Sequence, residues 1–222
     1  MLQRVQPAEI EAMMHFAADK FGMVDVLVNN AAAFLFKDVV ETTDADWRRT
    51  LDVNVIGYAN TMRAAVRGMR ARGRGGAIVN VIADMWMGMP GMGHSGAARA
   101  GMLNFTETAA LEWGPVRSNA VAPGWIASSG MDNYPPEMTA MIQNMHKLVP
   151  LQRIGTESEV AAAIVFLLSP AAAFISGACL RIDGGAPNAK RIWPQVGTGG
   201  SNQAFNGFHL AQTPQVLSKG KP

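Results

Sequence analysis

Three side chains that could act on a reacting group lie close together, in the run HSGAARAG from His94 to Gly101. Ser95 and Arg99 are four residues apart, so a helix would place both on one face. A serine hydroxyl and a guanidinium donate hydrogen bonds, but neither exchanges a proton near neutral pH. His94 could do so, although a loop histidine that precedes a helix is an equally good interpretation. The run therefore speaks against a reaction that needs a tuned acid at Ser95 or Arg99.

The elements that would position these side chains alternate between helices and apolar strands. Periodicity predicts helices over 7–22, 44–73, 96–113 and 157–168, and buried strands over 24–29, 77–82, 118–122 and 178–182. Asp44 is the predicted N-terminal cap of the second helix. Strands that alternate with helices of this length favour an α/β fold, with a parallel sheet covered by helices on both faces.

The composition fits one globular protein. With 222 residues, 49% apolar and 16% charged, the chain can bury one sizeable core, and its net charge of +2 requires no nucleic-acid or membrane partner. The single cysteine, Cys179, cannot form an internal disulfide. No segment has the length and apolar character of a transmembrane helix or a signal core. We therefore expect a soluble cytoplasmic protein without a metal site.

Five short motifs follow one another along the chain. They are DVLVNNAA from Asp25, Asn54, HSGAARAG from His94, NAVAPGWI from Asn119 and DGG from Asp183. In this order and at these separations, they resemble the short-chain dehydrogenase/reductase family over residues 7–186. HSGAARAG, with the downstream LEWG and FLLSPAAAFISG, is most similar to the peroxisomal trans-2-enoyl-CoA reductases and their bacterial relatives. The resemblance implies an oxidoreductase with a Rossmann-like, doubly wound parallel sheet.

The resemblance also implies which residues act in catalysis: Asn54, Ser95 and Arg99. Ser95 aligns with the family's proton-donating Tyr, Arg99 with the Lys that holds the cofactor ribose, and Asn54 with the Asn of the proton relay. Carbonyl reduction would lack its acid here. Reduction of a double bond conjugated to a thioester needs hydrogen-bond donors at the thioester oxygen instead. The similar 2,4-dienoyl-CoA reductases also carry Ser at the Tyr position, while keeping the Lys. A helix cap is the alternative interpretation of Ser95.

A nicotinamide cofactor is implied in the same way, with NADPH preferred and NADH left open. The predicted cofactor-binding residues mostly follow strand ends: Asn30, Ala31, Arg99, Pro123, Gly124, Ile126 and Ser128. The family's Gly-rich phosphate turn is missing, because Gly22 is the single glycine before Gly57. We therefore expect roughly 60 to 75 residues of strand–helix units to be absent. This predicts an N-terminally truncated domain over 1–187 with strand 24–29 as an exposed edge, followed by an extended tail over 188–222.

These expectations combine into one preferred function and two alternatives. The preferred function is NADPH-dependent reduction of the 2,3 double bond of trans-2-enoyl-CoA by a homo-oligomer. Methionines over 85–92 and 131–145 suggest an acyl or terpenoid substrate, although methionines at this density are more often core residues. The enzymatic alternative is dehydrogenation of a terpenoid alcohol such as citronellol. The alternative of another class is a non-catalytic fragment or pseudoenzyme that associates with a full-length homologue.

Overall fold

A computed structural model describes residues 6–189, 202–208, 210 and 212–218 of the chain. Within these residues, the helices are α1 Pro7–Phe21, α2 Asp44–Leu51, α3 Tyr58–Ala71, α4 Gly93–Glu112, α5 Thr139–Asn144, α6 Glu157–Leu168 and α7 Gln215–Ser218. The strands are β1 Val26–Asn29, β2 Gly76–Val81, β3 Val116–Pro123, β4 Ile126–Ala127, β5 Gly155–Thr156 and β6 Cys179–Ile182. Helices and strands alternate along most of the chain, as the periodicity predicts.

The main sheet has four strands in the order β1-β2-β3-β6, and β4 and β5 form a second, two-stranded sheet. β1 pairs in parallel with β2 from Val26 opposite Ala77, and β2 pairs in parallel with β3 from Gly76 opposite Val116. The central strands β2 and β3 are buried along most of their length, which is typical of strands covered on both faces. The expected α/β fold with a parallel sheet is confirmed.

β1 lies at one edge of this sheet among the described strands. Val26 and Val28 are exposed, while Asn29 at the end of the strand is buried. An apolar edge strand of this kind agrees with the edge that the sequence predicts.

The long helix predicted over 44–73 is one continuous helical run with a widened middle. α2 and α3 are joined by a π-helical segment, Asp52–Gly57, which the periodicity did not indicate. The cap predicted at Asp44 is wrong, because Thr43 precedes the helix. The Thr43 hydroxyl accepts the N–H of Asp46 at 3.3 Å, and the Asp46 carboxylate accepts the N–H of Thr43 at 3.0 Å. This reciprocal pair is a capping box.

The chain divides into two compact units. The first contains residues 1–121 and 166–180, and the second contains 122–165 and 181–222. The first unit buries large apolar side chains between the sheet and its helices: Met62, Met69, Ile78, Val79 and Met102. The second unit has a smaller cluster around Met131, Ile142 and Met145. The domain boundary expected at residue 187 stays a prediction.

The described parts of the C-terminal segment contact other residues of the second unit. The Phe208 N–H donates to Ser158 Oγ at 2.7 Å, and the Val216 N–H donates to Asp132 at 2.9 Å. Gln215–Ser218 form the short helix α7, where the sequence predicted extended chain. Much of the predicted tail, including 190–201 and 219–222, lies outside the described residues. In the described part of the chain, no helix combines the length and apolar character needed to cross a membrane.

Candidate active site

Ser95 and Arg99 lie near the start of α4, which begins at Gly93. Met92 is the residue that precedes the helix, and Ser95 is the third helical residue. The interpretation of Ser95 as a helix cap is therefore wrong. Both side chains are nearly buried, with exposed fractions of 3% for Ser95 and 7% for Arg99. Their spacing places them on one face of α4, as the sequence predicts.

Arg99 is anchored to the end of strand β2. Its Nη1 donates a hydrogen bond to the carbonyl oxygen of Val81 at 2.8 Å. Val81 is the last residue of β2, so the guanidinium lies at the carboxyl end of a parallel strand. The buried Nε of Arg99 has no hydrogen-bond partner within the described residues. The carboxyl ends of parallel strands are where α/β proteins bind ligands.

Asn54 lies inside the π-helical segment and is fully buried. Its side-chain oxygen accepts the N–H of Ala33 at 2.8 Å, and its Nδ2 donates to the Ala33 carbonyl at 2.7 Å. This pair of bonds holds the chain that leaves β1. An asparagine amide has two N–H donors, so one donor of Asn54 is not used by Ala33.

Asn30 and Ala31 follow β1 directly and are exposed at its carboxyl end. The preceding Asn29 is buried instead: its Nδ2 donates to Asn80 at 2.8 Å, and its oxygen accepts the Thr61 hydroxyl at 2.6 Å. Asn80 in turn donates to the Thr106 hydroxyl at 2.9 Å. This chain of hydrogen bonds joins α3, β1, β2 and α4, so Asn29 ties the end of β1 to its neighbours.

The other predicted cofactor residues belong to the second unit. Pro123 ends β3, and the Gly124 N–H donates to the Ile182 carbonyl at 3.0 Å. A Cβ atom at Gly124 would lie 2.9 Å from the Cα of Asp183, so packing requires glycine there. Ile126 pairs with Gly155 in the small sheet, and Ser128 precedes a short 3₁₀ helix. These residues are half-buried.

The second unit also contains a cavity of about 570 Å³. Apolar residues Trp125, Val149 and Leu151 line part of it, together with two close ion pairs. Arg153 contacts Glu159 at 2.6 Å, and Arg181 contacts Asp183 at 2.7 Å. The sequence did not indicate this cavity, because its lining comes from three separate segments.

His94 is in α4 and not in a loop, and its ring is fully buried. Its ring packs edge-on against Trp47, with 6.1 Å between the ring centroids. Neither ring nitrogen has a hydrogen-bond partner in the described part of the chain. Burial lowers the pKa of His94 below its usual 6.5, and the charge of Asp46 opposes this shift. His94 therefore behaves as a neutral core residue near pH 7.

Two of the methionines expected near a substrate pocket contribute to packing instead. Met131 and Met145 are buried in the cluster of the second unit, where Trp125, Tyr134 and Met138 pack against them. Soft side chains suit an irregular core as well as an apolar ligand. The positions of Met131 and Met145 therefore fit the core interpretation, whereas Met87 is exposed.

Tyr58, which the sequence did not indicate, lies beside the predicted site residue Arg99. Its hydroxyl donates to the Val81 carbonyl at 3.3 Å, the same oxygen that accepts from Arg99. The spacing from Asn54 to Tyr58 is one helical turn, which is the signal that could have indicated it.

Comparison with known proteins identifies the family of the chain. A family model described as Enoyl-(Acyl carrier protein) reductase matches residues 5–187. The protein is 37% identical to a probable 2,4-dienoyl-CoA reductase of Bacillus subtilis over 178 residues, which are 78% of this chain and 70% of the relative.

Solved structures show the same similarity. A citronellol catabolism dehydrogenase (AtuB) of Pseudomonas aeruginosa has a TM-score of 0.69 and 45% identity, over 82% of this chain and 70% of that chain. A gluconate 5-dehydrogenase of Burkholderia cenocepacia, in complex with NADP and tartrate, has a TM-score of 0.75 and 26% identity, over 83% and 73% of the two chains.

The fold and the site define a Rossmann-like α/β oxidoreductase. The chain belongs to the short-chain dehydrogenase/reductase family, in the group that the enoyl reductase model describes.

Proposed function

We propose that the protein reduces the 2,3 double bond of a trans-2-enoyl-CoA with NADPH. The observation that carries this proposal is the buried pair Ser95 and Arg99 on one face of α4, with no ionisable acid at residue 95. A reaction that builds negative charge on a thioester oxygen needs donors of hydrogen bonds, which a hydroxyl supplies. The matched family description and the Bacillus relative named for 2,4-dienoyl-CoA support an acyl thioester as the substrate.

Each predicted catalytic residue has a separate role in the proposed reaction. Ser95 donates a hydrogen bond to the thioester oxygen, and water protonates the α carbon. Arg99, whose Nη1 is fixed to the Val81 carbonyl, adds positive charge and hydrogen-bond donors to the site. Asn54 holds the Ala33 backbone and has one N–H left for a bound water or ligand.

The nicotinamide end of a cofactor fits the residues present. When bound, the cofactor supplies the hydride. Arg99 is suited to ribose hydroxyls because its buried Nε has no partner in the described part of the chain. Asn30 and Ala31 are exposed after β1, and we propose that they and the segment Pro123, Gly124, Ile126 and Ser128 contact the cofactor. NADPH is preferred over NADH by resemblance, and the solved relative with bound NADP supports it.

The described residues do not fit the pyrophosphate end of the cofactor comparably well. A pyrophosphate is usually held by a Gly-rich turn at a helix N-terminus. Here α1 begins with Pro7 after Gln6, and Gly22 is the single glycine before Gly57. The proposal therefore assigns to this chain the residues of the nicotinamide half.

A terpenoid alcohol such as citronellol is the second candidate substrate. The similarity to the Pseudomonas citronellol catabolism dehydrogenase, at 45% identity, favours it. Alcohol oxidation requires a base for the hydroxyl proton, and Ser95 is a poor base. We therefore rank this substrate second. We further propose a homo-oligomer on the resemblance, and a cytoplasmic location on the sequence properties given above.

The first experiment is a titration of NADPH into the purified protein, followed by the fluorescence of the nicotinamide. Binding in the micromolar range should be followed by NADPH oxidation when trans-2-decenoyl-CoA is added. Citronellol with NADP⁺ is the competing assay. Protein that binds neither NADPH nor NADH would contradict the proposal and favour the non-catalytic alternative.

The site assignment has its own test. Ser95→Ala should lower kcat for the enoyl-CoA by about 100-fold, as removal of an oxyanion donor does in other enzymes. Thr108→Ala is the matched control, because the Thr108 hydroxyl lies on the same helix and bonds only the Asn104 carbonyl among the described residues, at 3.0 Å. Equal activity of Ser95→Ala and the control would remove Ser95 from the mechanism.

A further inference from the structure

The Arg99 guanidinium has two neighbours at the end of β2. Its Nη1 donates to the Val81 carbonyl at 2.8 Å. The same oxygen accepts the Tyr58 hydroxyl at 3.3 Å, so arginine and phenol converge on one backbone atom. Both side chains are nearly buried, with exposed fractions of 7% for Arg99 and 3% for Tyr58.

The phenol and the guanidinium also interact with each other. Burial raises the pKa of Tyr58, and the charge and hydrogen bonding of Arg99 oppose that rise. A phenol hydroxyl that donates to Val81 still has lone pairs with which it accepts from a guanidinium. Tyr58 thus places a hydroxyl on the same carbonyl oxygen to which the Arg99 cation is anchored.

A guanidinium binds a ligand well only when its planar set of donors is oriented. Anchoring at Nη1 alone leaves rotation about the terminal bonds of the side chain. The Tyr58 hydroxyl, held on the same Val81 oxygen, restricts this freedom. It leaves the buried Nε, which has no partner in the residues described, for an oxygen of a ligand.

We propose that Tyr58 is a positioning residue that orients Arg99 for the cofactor, an inference that rests on the proposed function. Tyr58 comes from α3, one turn after Asn54, and so from a different helix than Arg99. It does not touch the substrate in this proposal. It acts through Arg99, with Val81 as the shared acceptor.

The test begins with Tyr58→Phe, which keeps the ring and removes the hydroxyl. We expect the Kd and the KM for NADPH to rise about tenfold, as for loss of one hydrogen bond to a charged group, with a smaller change in kcat. In an Arg99→Lys background, the same substitution should change the Kd less than twofold. Met62→Leu, a buried change one turn further along α3, is the packing control and should leave the Kd unchanged.

A second measurement does not need cofactor. The chain has two tyrosines, Tyr58 and Tyr134. In a Tyr134→Phe protein, the ultraviolet absorbance of tyrosinate therefore reports Tyr58 alone. Adding Arg99→Met should move this ionisation to higher pH, because the favourable charge is lost.

The outcomes separate the two proposals. Tyr58→Phe that binds NADPH as tightly as the wild type, or a Tyr58 ionisation that Arg99→Met does not move, overturns the positioning role while wild-type turnover still supports the reductase. Wild-type protein that binds no nicotinamide cofactor overturns both. In that case the ionisation measurement shows separately whether Tyr58 and Arg99 are paired.

Discussion

The interiors of the two units are built from different chemistry. In the first unit, the half-buried Thr61 and the buried Asn29, Asn80 and Thr106 form a continuous chain of hydrogen bonds. In the second unit, the buried cluster is apolar and rich in methionine, around Met131, Ile142 and Met145. Directional bonds define one arrangement, whereas flexible thioethers adapt to several.

The difference matters for function because a predicted site residue and its neighbours depend on the polar chain. Thr106 is two turns after Arg99 on α4, and Asn29 precedes the exposed Asn30. The polar chain therefore fixes the helix and strand ends that carry these residues. The apolar cluster of the second unit should tolerate more change, because its buried side chains Met131, Ile142 and Met145 have no hydrogen-bond donors.

The largest expected effect is from Asn80→Leu, which breaks the polar chain at its centre. Asn29 Nδ2 would lose its acceptor and the Thr106 hydroxyl its donor, both in buried positions. We expect the free energy of unfolding to fall by about 3 kcal/mol, since each buried group left without a partner costs about 1–3 kcal/mol. The free energy of unfolding is measured by urea titration, with circular dichroism as the signal. Asn104→Leu, an exposed change on α4, is the control and should stay within about 0.5 kcal/mol of the wild type.

The next largest effect is a loss of folding stability at acid pH that comes from His94. Burial lowers the pKa of His94 in the folded state, so the unfolded state binds more protons once the pH falls below about 6.5. Its contribution to stability is complete above that pH and is lost as the pH falls toward the folded-state pKa. Urea midpoints at pH 7.5 and about pH 5.5 should differ more for the wild type than for His94→Phe. His15→Phe, at an exposed position of α1, should keep the wild-type difference. Identical differences in all three proteins would show that His94 is not buried neutral.

A smaller effect is expected in the methionine cluster. Met145→Leu nearly conserves volume and should lower the free energy of unfolding by about 1 kcal/mol or less. Met87→Leu, at an exposed methionine, is the control. A loss as large as that of Asn80→Leu would mean that the second unit is as specifically packed as the first.

The smallest effect concerns the exposed pair between α1 and α3. Arg67 and Glu11 are 3.2 Å apart, with side chains 74% and 48% exposed. Arg67→Ala should cost about 0.5 kcal/mol or less, and the loss should shrink in high salt. Arg72→Ala is the contrast, because the nearly buried Arg72 donates to the Val24 carbonyl at 2.8 Å and pairs with Asp25. A larger loss for Arg67 than for Arg72 would contradict this ranking.

Much of the fold was predictable, because apolar periodicity reports directly on burial. The helix predicted over 157–168 is found as Glu157–Leu168, and the predicted strand 24–29 includes β1. α4 begins three residues before its predicted start, since Met92 caps it without a side-chain hydrogen bond and so leaves no signal in the sequence. The π-helical segment Asp52–Gly57 was not predictable for a similar reason: its apolar spacing matches that of an ordinary helix.

The candidate site was predictable in part. The positions of Ser95 and Arg99 on one face follow from their spacing alone. The sequence could not show that Asn54 bonds the Ala33 backbone, or that Tyr58 shares the Val81 carbonyl with Arg99. Each of these contacts joins residues at least 21 positions apart along the chain. No local pattern encodes such pairs.

The sequence by itself determined the alternation of helices and strands, the parallel sheet, the family and the positions aligned with its catalytic residues. These follow from periodicity and motif order, which are properties of neighbouring residues. The tertiary structure alone decided which buried polar atoms are paired. It placed Asn29, Asn80 and Thr106 in one chain, left both nitrogens of His94 without a partner among the described residues, and brought Tyr58 to Arg99. The physical reason is that burial removes water, so each polar group depends on whatever distant residue the fold brings within reach.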